Sequence, residues 1–494
     1  MTAPAAPFAA PSAPSATAGW RTPTRRNAEL VLLLFAMVIV TVYSAAVEYG
    51  VNRHLGRFWL PPLLLTIVFL GAHMVVRFLT PYADPAILPS VALLNGIGVV
   101  FLHRIDLDPA IPDDGWKAHP NFVDFGGIAF KQLVWTVAAI IVATVALIIV
   151  RDHRTLSRYA YTLGLTGIVL MMIPAVLPAS LSEVNGAKLW IRFGGFFQIQ
   201  PGEFAKILVL SFFAYYLVRK REVLSLASRR FVGIDFPRGR DMGPVLLVWG
   251  LSLMVLVFEK DLGTSLLYFG MFVVTLYVAT ERVSWLIIGL LLFFGGAFAA
   301  YLLGASIGGP FANFYQRVGV WLDPFADPNY RGYQLVQSLL GLGTGGIFGS
   351  GPGAGHPDKV PAVYNDFIFA GLGEEIGLFG LTALLMVYLV IAERGIRVAI
   401  AVRDSFGKLM AGGLAFTLGL QVFVIVGGVT KLIPLTGQTT PFLSAGGSSL
   451  MANWLLVAIL LRISDASRRP ATSGATGGPA VPVKLAGLAT EVMK

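Results

Sequence analysis

Apolar stretches of about 20 residues follow one another along almost the whole chain, with short polar segments between them. No other feature constrains the fold as strongly. About 20 helical residues match the roughly 30 Å hydrocarbon core of a bilayer. Inside that core the backbone must satisfy its own hydrogen bonds, and regular helices do so. The chain therefore reads as an all-α polytopic membrane protein. Twelve runs stand out: 28–47, 59–79, 86–102, 130–150, 157–177, 203–218, 243–258, 262–280, 283–304, 366–392, 408–428 and 447–463. The expected architecture is a bundle of about 12 transmembrane helices with a long extracytoplasmic loop, 305–364, before the tenth. Composition agrees: 56% of the 494 residues are hydrophobic and 13% charged, more apolar surface than a soluble domain could bury.

Charge sets the orientation. With the N-terminus inside, the inner segments collect 24 of the 37 basic residues, including the cluster Arg219, Lys220, Arg221, Arg229, Arg230, Arg238 and Arg240. The outer segments hold Asp106, Asp108, Asp113, Asp114 and Asp124. Positive loops stay cytoplasmic, so both termini are expected inside. The net charge of +10 is then a property of the inner loops, and nucleic acid is not expected as a partner. Residues 1–27 and 464–494 read as disordered cytoplasmic tails, and no apolar core precedes Arg21 to make a signal peptide. There are no cysteines, hence no disulfides, thiolate metal sites or cysteine nucleophiles. No internal repeat is evident, and no large extramembrane domain is expected.

Polar groups gather on the outer side. Loop 178–202 carries Lys188, Trp190 and Arg192, and Lys206 lies one turn into the next span, three residues after Glu203. Glu259, Lys260 and Asp261 top a hairpin. Loop 305–364 carries Arg317 and a glycine-rich run from Gly341 to Gly355, and loop 429–446 carries Lys431 and Gln438. Asp366, Glu374 and Glu375 open the apolar run to Ala392. A carboxylate inside a membrane costs about 3 kcal/mol or more unless paired or wetted, so these three are expected to have work to do. Gly341-Leu342-Gly343-Thr344-Gly345-Gly346 fits GxGxxG, but no strand precedes it, and dinucleotide binding is not expected. The glycines are read as allowing tight packing or a mobile loop.

Five blocks in this order, NGAKLWIRFGGFFQIQPGEFAKI, EKDLGTSLL, RVGVWLDPFADPNYRGYQLVQSLLGLGTGGIFGSG, NDFIFAGLGEEIGLFG and LTGQTTPFLSAGGSSL, resemble the SEDS family of cell-shape and cell-division proteins, RodA and FtsW. The resemblance covers about Lys131 to Arg462. It divides the chain into extra N-terminal spans with an acidic outer loop (28–129) and a SEDS-like core (130–463). Thr439-Thr440-Pro441-Phe442 and Ser444-Ala445-Gly446-Gly447 stand where the family commonly shows Pro-Leu-Pro-Phe and Ser-Tyr-Gly-Gly. The DP-rich loop and the GGSS ending are closer to RodA than to FtsW members. The resemblance implies a bacterial cytoplasmic-membrane glycosyltransferase that polymerises lipid II into peptidoglycan strands at the outer face. It works beside a class B penicillin-binding protein, within an elongation or division complex.

That chemistry needs a base for the attacking sugar hydroxyl and positive charge for the departing lipid diphosphate. Asp366 falls in the family's catalytic-aspartate block and is the candidate base, with a helix N-cap as the alternative. Helical spacing separates Glu374 by about 80° and Glu375 by about 180° from Asp366, so both are read as supports, paired with Lys206 or Lys260. Lys206, Arg192, Arg317 and Lys431 are the candidate diphosphate-binding cations. Trp190 is a sugar platform or an interfacial anchor, and Asp261 a support that caps the eighth span or pairs with Lys260. A divalent cation, Mg or Mn, bridging carboxylates and diphosphate is left open, although no dedicated ligand spacing is present and the six histidines show none. Two other functions remain: a flippase for the lipid-linked precursor, and a non-catalytic scaffold for a transpeptidase. The inner half reads as nearly free of ionisable groups, which argues against the flippase.

Overall fold

The computed structural model describes residues 24–108, 118, 119, 121–184, 187–193, 197–225, 227–231, 234–237, scattered positions between 243 and 255, and 261–470. The tails, residues 109–117 and 120 of the acidic loop with Asp113 and Asp114, most of the run 243–258, Glu259 and Lys260 lie outside the described residues. Ten helices are long and apolar enough to cross a membrane among the described residues. They are α1 (Arg26–Asn52), α2 (Leu60–Leu79), α3 (Ile87–Asp106), α4 (Ile128–Ile149), α6 (Pro201–Ser225), α7 (Leu262–Thr280), α8 (Val283–Ser306), α11 (Ile368–Ala401), α12 (Ser405–Val429) and α13 (Gly447–Arg468). α5 (Ala160–Val176) is apolar but only 17 residues long. The difference from twelve is therefore one short helix and one run outside the described residues.

Their ends follow local chemistry. Pro201 opens α6, where its missing N–H costs nothing. Asp261 caps α7 by accepting from the Thr264 N–H, and Asp404 caps α12 by accepting from Gly407. α3 and α13 are buried almost all round, whereas α8 keeps most of its surface outward. α3 packs on α1, α4 and α11, α13 along α4, and α12 along α11 and α7.

The 305–364 stretch is largely helical rather than a plain loop. It forms α9 (Ala312–Leu322) and α10 (Tyr333–Gly345), then a glycine-rich return. Short hairpins β1–β2 (183–184, 187–188) and β3–β4 (191–193, 197–199) precede α6. One glycine of α10 serves packing: a Cβ at Gly345 would fall 2.2 Å from the Gly373 carbonyl of α11, whereas one at Gly343 would meet nothing within 4 Å.

α11 is two half-helices. Gly377 breaks it at φ 66°, ψ −176°. The return segment fills the gap: Leu378 and Phe379 donate to the Gly346 and Ile347 carbonyls, and Ser350 and Gly351 donate to those of Glu374 and Glu375. Irregular backbone at such depth survives only where protein satisfies it.

The end of the bundle remote from Asp366 is not free of ionisable groups, and that expectation is corrected. Buried Arg26 and Glu29 pair at 2.5 Å, His73 Nδ1 lies 2.7 Å from Glu29, and Asp84 meets Arg468. Some of these residues sit at helix ends that a hydropathy reading assigns to loops.

Candidate active site

Asp366 lies in the turn that leads into α11, two residues ahead of Ile368. The N-cap is Phe367 and no side chain caps the helix, so Asp366 is not a cap. Offsets of 80° and 180° counted from Asp366 as a helical residue do not apply. The turn is fixed from behind. Ser444 Oγ donates to the Asn365 carbonyl at 2.6 Å, and Ala445 N–H donates to that of Tyr364 at 2.8 Å.

Arg317 of α9 comes to the same place. Its Nη1 donates to the Leu435 carbonyl at 2.8 Å. Gly437, exposed and at φ +72°, lies between the two groups. A Cβ there would sit 3.6 and 3.7 Å from the guanidinium nitrogens and 3.8 Å from Asp366 Oδ2. A bare backbone thus leaves an opening onto a carboxylate and a guanidinium. Burial pushes the Asp366 carboxyl up to about 6, against the pull of the Arg317 charge and a backbone N–H.

Asp261 is buried behind this pair. Its carboxylate accepts from Thr264 N–H at 3.1 Å and Thr264 Oγ1 at 2.5 Å, and Thr264 in turn accepts from Gln438 Nε2 at 2.8 Å. Burial raises Asp261 too, opposed by the Thr264 bonds and by Arg317. Arg317 therefore faces both acids.

Beside this group is an apolar cavity of about 530 Å³ between α7, α8, α9 and the segment 432–436. Leu262, Val318 and Thr436 line it, each next to a residue of the polar group or one removed. Phe293 and Phe294 also line it, and Phe294 is exposed on the surface of α8.

The other expected site residues fall elsewhere. Lys206 is 2% exposed and donates to Glu203 Oε2 (2.8 Å), Gln421 Oε1 (2.9 Å) and Asn453 Oδ1 (3.3 Å). Its three donors are engaged inside the bundle. It is not the partner of Glu374 or Glu375, which is a second correction. Glu375 pairs with Arg104 at 3.1 Å and accepts from the Gly353 N–H at 3.0 Å, while Glu374 offers its carbonyl to Ser350. Lys260 lies outside the described residues. Trp190 and Arg192 belong to the segment of β3–β4, which lies over the start of α13, where Ser448 donates to the Gln198 carbonyl. Among the described residues neither has a hydrogen bond or ion pair to Asp366. Lys431 has a left-handed backbone, φ 61°, and its carbonyl accepts from Trp321 Nε1 at 3.1 Å beside the cavity. Among the described residues no group of three or more His, Asp or Glu side chains is placed to hold a metal ion.

A family model described as a cell cycle protein, for FtsW, RodA and SpoVE, matches residues 85–469. The chain belongs to this family. It is 51% identical over 453 residues to the peptidoglycan glycosyltransferase RodA of Mycobacterium tuberculosis, covering 91% of this chain and 92% of that one. It is 33% identical over 388 residues to a probable peptidoglycan glycosyltransferase FtsW of a Geobacter species, covering 78% and 97%. Among solved structures, a chain of a peptidoglycan synthase complex that coordinates polymerization and crosslinking superposes with TM-score 0.58 at 24% identity, over 78% of this chain and 99% of that one. Rod shape determining protein RodA of Thermus thermophilus gives 0.52 at 22%, over 79% and 98%. These two likenesses carry the SEDS fold.

Sequence reasoning missed Arg104, Thr264 and Gly437. A usable signal existed for the first: an arginine in the last turn of an apolar helix needs a buried anion. Gly437 and Thr264 gave none, because only the packing of α7 against the 436–442 segment reveals their place.

Proposed function

We propose that this SEDS protein is a peptidoglycan glycosyltransferase that polymerises lipid II at the outer face of the bacterial cytoplasmic membrane, with both termini cytoplasmic. The observation that carries the reading is the meeting of Asp366 and Arg317 at the Gly437 opening, beside an apolar cavity. A lipid-linked sugar diphosphate needs these three surroundings together: a base, a cation and a trough for a prenyl chain.

Asp366 takes the proton from the sugar hydroxyl that attacks the anomeric carbon. A carboxyl near 6 is mostly ionised at neutral pH yet basic enough to accept a proton. Arg317 faces the diphosphate that leaves, and a guanidinium suits its oxygens. Direct displacement turns the α-linked diphosphate into a β-glycoside, so the reaction inverts. Asp261, Thr264 and Gln438 keep the 436–440 segment against α7, and thereby the mouth. Lys431, Arg192 and Trp190 are proposed to meet the rest of the substrate. The chain works with a class B penicillin-binding protein and, with the run 243–258 and α5 counted, spans the membrane twelve times.

The broken helix α11 favours one other reading, since interrupted helices also build transport sites. One experiment separates the two. The purified full chain, with its transpeptidase partner, is given lipid II, and glycan polymer is followed alongside precursor flipping in liposomes. Polymer from the wild type and none from a folded Asp366→Asn variant is the expected result. Polymer from the variant sinks the base assignment. Flipping without polymer replaces the reading with transport.

A further inference from the structure

α1 and α2 lie ahead of the family match, which begins at residue 85. Yet α1 touches the glycine-rich return at the centre of the broken helix. A Cβ at Gly50 would fall 2.1 Å from the Pro352 carbonyl and 3.1 Å from Gly353 Cα. From the other side, a Cβ at Gly353, whose φ is +77°, would fall 2.7 Å from the Val47 carbonyl and 3.0 Å from Val51 N. Two glycines thus let backbone meet backbone. The same turn is held from its inner side by Glu375, which accepts from the Gly353 N–H while bound to Arg104, whose Nη2 donates to the Gly355 carbonyl at 3.0 Å.

We propose that α1 is a backstop for the catalytic half-helix, with Gly50 and Gly353 as its positioning residues. The return is pressed between α1 and the half-helix 368–376, which carries Glu374 and Glu375 at its end and Asp366 just ahead of its start. That half-helix is barely nine residues long and ends at the Gly377 break. Ser444 and Ala445 fix its start and α3 packs on its side. At its Gly377 end, however, continuity with the rest of α11 is broken, so there its placement depends on the return, and the return leans on α1. α1 is then part of the polymerase, through Asp366, an inference that rests on the function proposed above.

The test uses the full chain with its partner and two readouts. Hydrogen exchange at the amides of Gly349, Ser350, Gly351 and Gly353 is measured without substrate, and polymerisation is measured with lipid II. In Gly50→Val these amides should exchange about tenfold faster or more, with those of α12 and α13 unchanged. The polymerisation rate should fall by roughly 10²-fold, the cost of an ångström-scale misplacement, with little change in KM. Gly71→Val on α2, where a Cβ would meet nothing within 4 Å, should keep both readouts within about twofold of wild type. If Gly50→Val does not fold, Gly353→Ala disturbs the same contact from the return and should give the same pair of changes. Unchanged exchange at the return in a folded variant overturns the proposal. Faster exchange with unchanged polymerisation overturns the link to catalysis. A wild type that makes no polymer fails the functional reading instead, while exchange still decides the contact.

Discussion

Three acids near the start of α11 look alike in sequence, and their partners separate them. Glu375 is fully buried and matched by Arg104, whereas Asp366 faces an opening and a guanidinium that it does not bond directly. This predicts a pH profile. Burial holds the Asp366 carboxyl near 6, so below that pH it is protonated and cannot accept the sugar proton. The polymerisation rate should therefore fall as pH drops through about 6, and Asp366→Asn should abolish that limb along with roughly 10²- to 10⁴-fold of the rate. Arg317 acts in the opposite direction to burial. Arg317→Gln removes a charge that favours the ionised carboxylate, so the acid limb should move to higher pH and the maximal rate should drop. An unmoved limb in that variant would place Arg317 too far away to matter. At this scale the identity of the candidate base was readable, because an acid at the mouth of an apolar run is costly without a use. The company it keeps was not. Lys206 is a cation inside a span; Glu203, three residues before it on the same helix, is within reach of its spacing, but Gln421 and Asn453 come from two other helices that sequence proximity does not connect.

Among the elements, α11 departs furthest from its pattern. The residues 366–392 carry a helix-compatible apolar run, and single glycines in such a run are tolerated, so nothing local marks Gly377 as a break. The break exists because a segment some 25 residues upstream supplies the missing hydrogen bonds, with Gly349 at φ +83° closing on the Glu375 carbonyl. Arg104 of α3 then bridges to Glu375 and ties this splice to the buried centre of the bundle. A mutant cycle checks how far the pair holds it. Arg104→Met leaves the buried Glu375 charge unmatched and should cost about 3–5 kcal/mol. Glu375→Met should cost less, because Arg104 keeps Asp108 at 3.3 Å. The double variant should be much less destabilised than the sum. It should retain a residue of about 1–2 kcal/mol, because the Gly353 N–H has lost its acceptor. Additive losses in the midpoint of thermal unfolding, measured in one detergent, would show that the two side chains do not act as a pair.

Across the whole molecule, polar groups collect at both ends of the bundle for different ends. Away from Asp366, Arg26, Glu29 and His73 join α1 to α2, and Asp84 and Arg468 join the turn before α3 to α13. Near Asp366, charges face an opening, and the cavity between α7, α8 and α9 lies beside it, lined by Val318 and Thr436. The number of spans and their apolar faces follow from hydropathy, but a cavity is a property of helices that fail to touch, and no single segment encodes it. If that space receives the prenyl tail of the substrate, filling it should weaken binding without touching the chemistry. Ala297 of α8 lines the cavity, on a helix that is mostly outward-facing and therefore tolerant of a larger residue. Ala297→Trp should raise KM for lipid II, by about tenfold if about two methylene contacts are lost at roughly 0.8 kcal/mol each, and leave the maximal rate and its pH limb near wild type. A short-prenyl analogue of the same substrate should be affected far less, because it has no tail to displace. Equal losses for the long and the short substrate would mean that the tail lies elsewhere and that the cavity serves the movement of α8 instead.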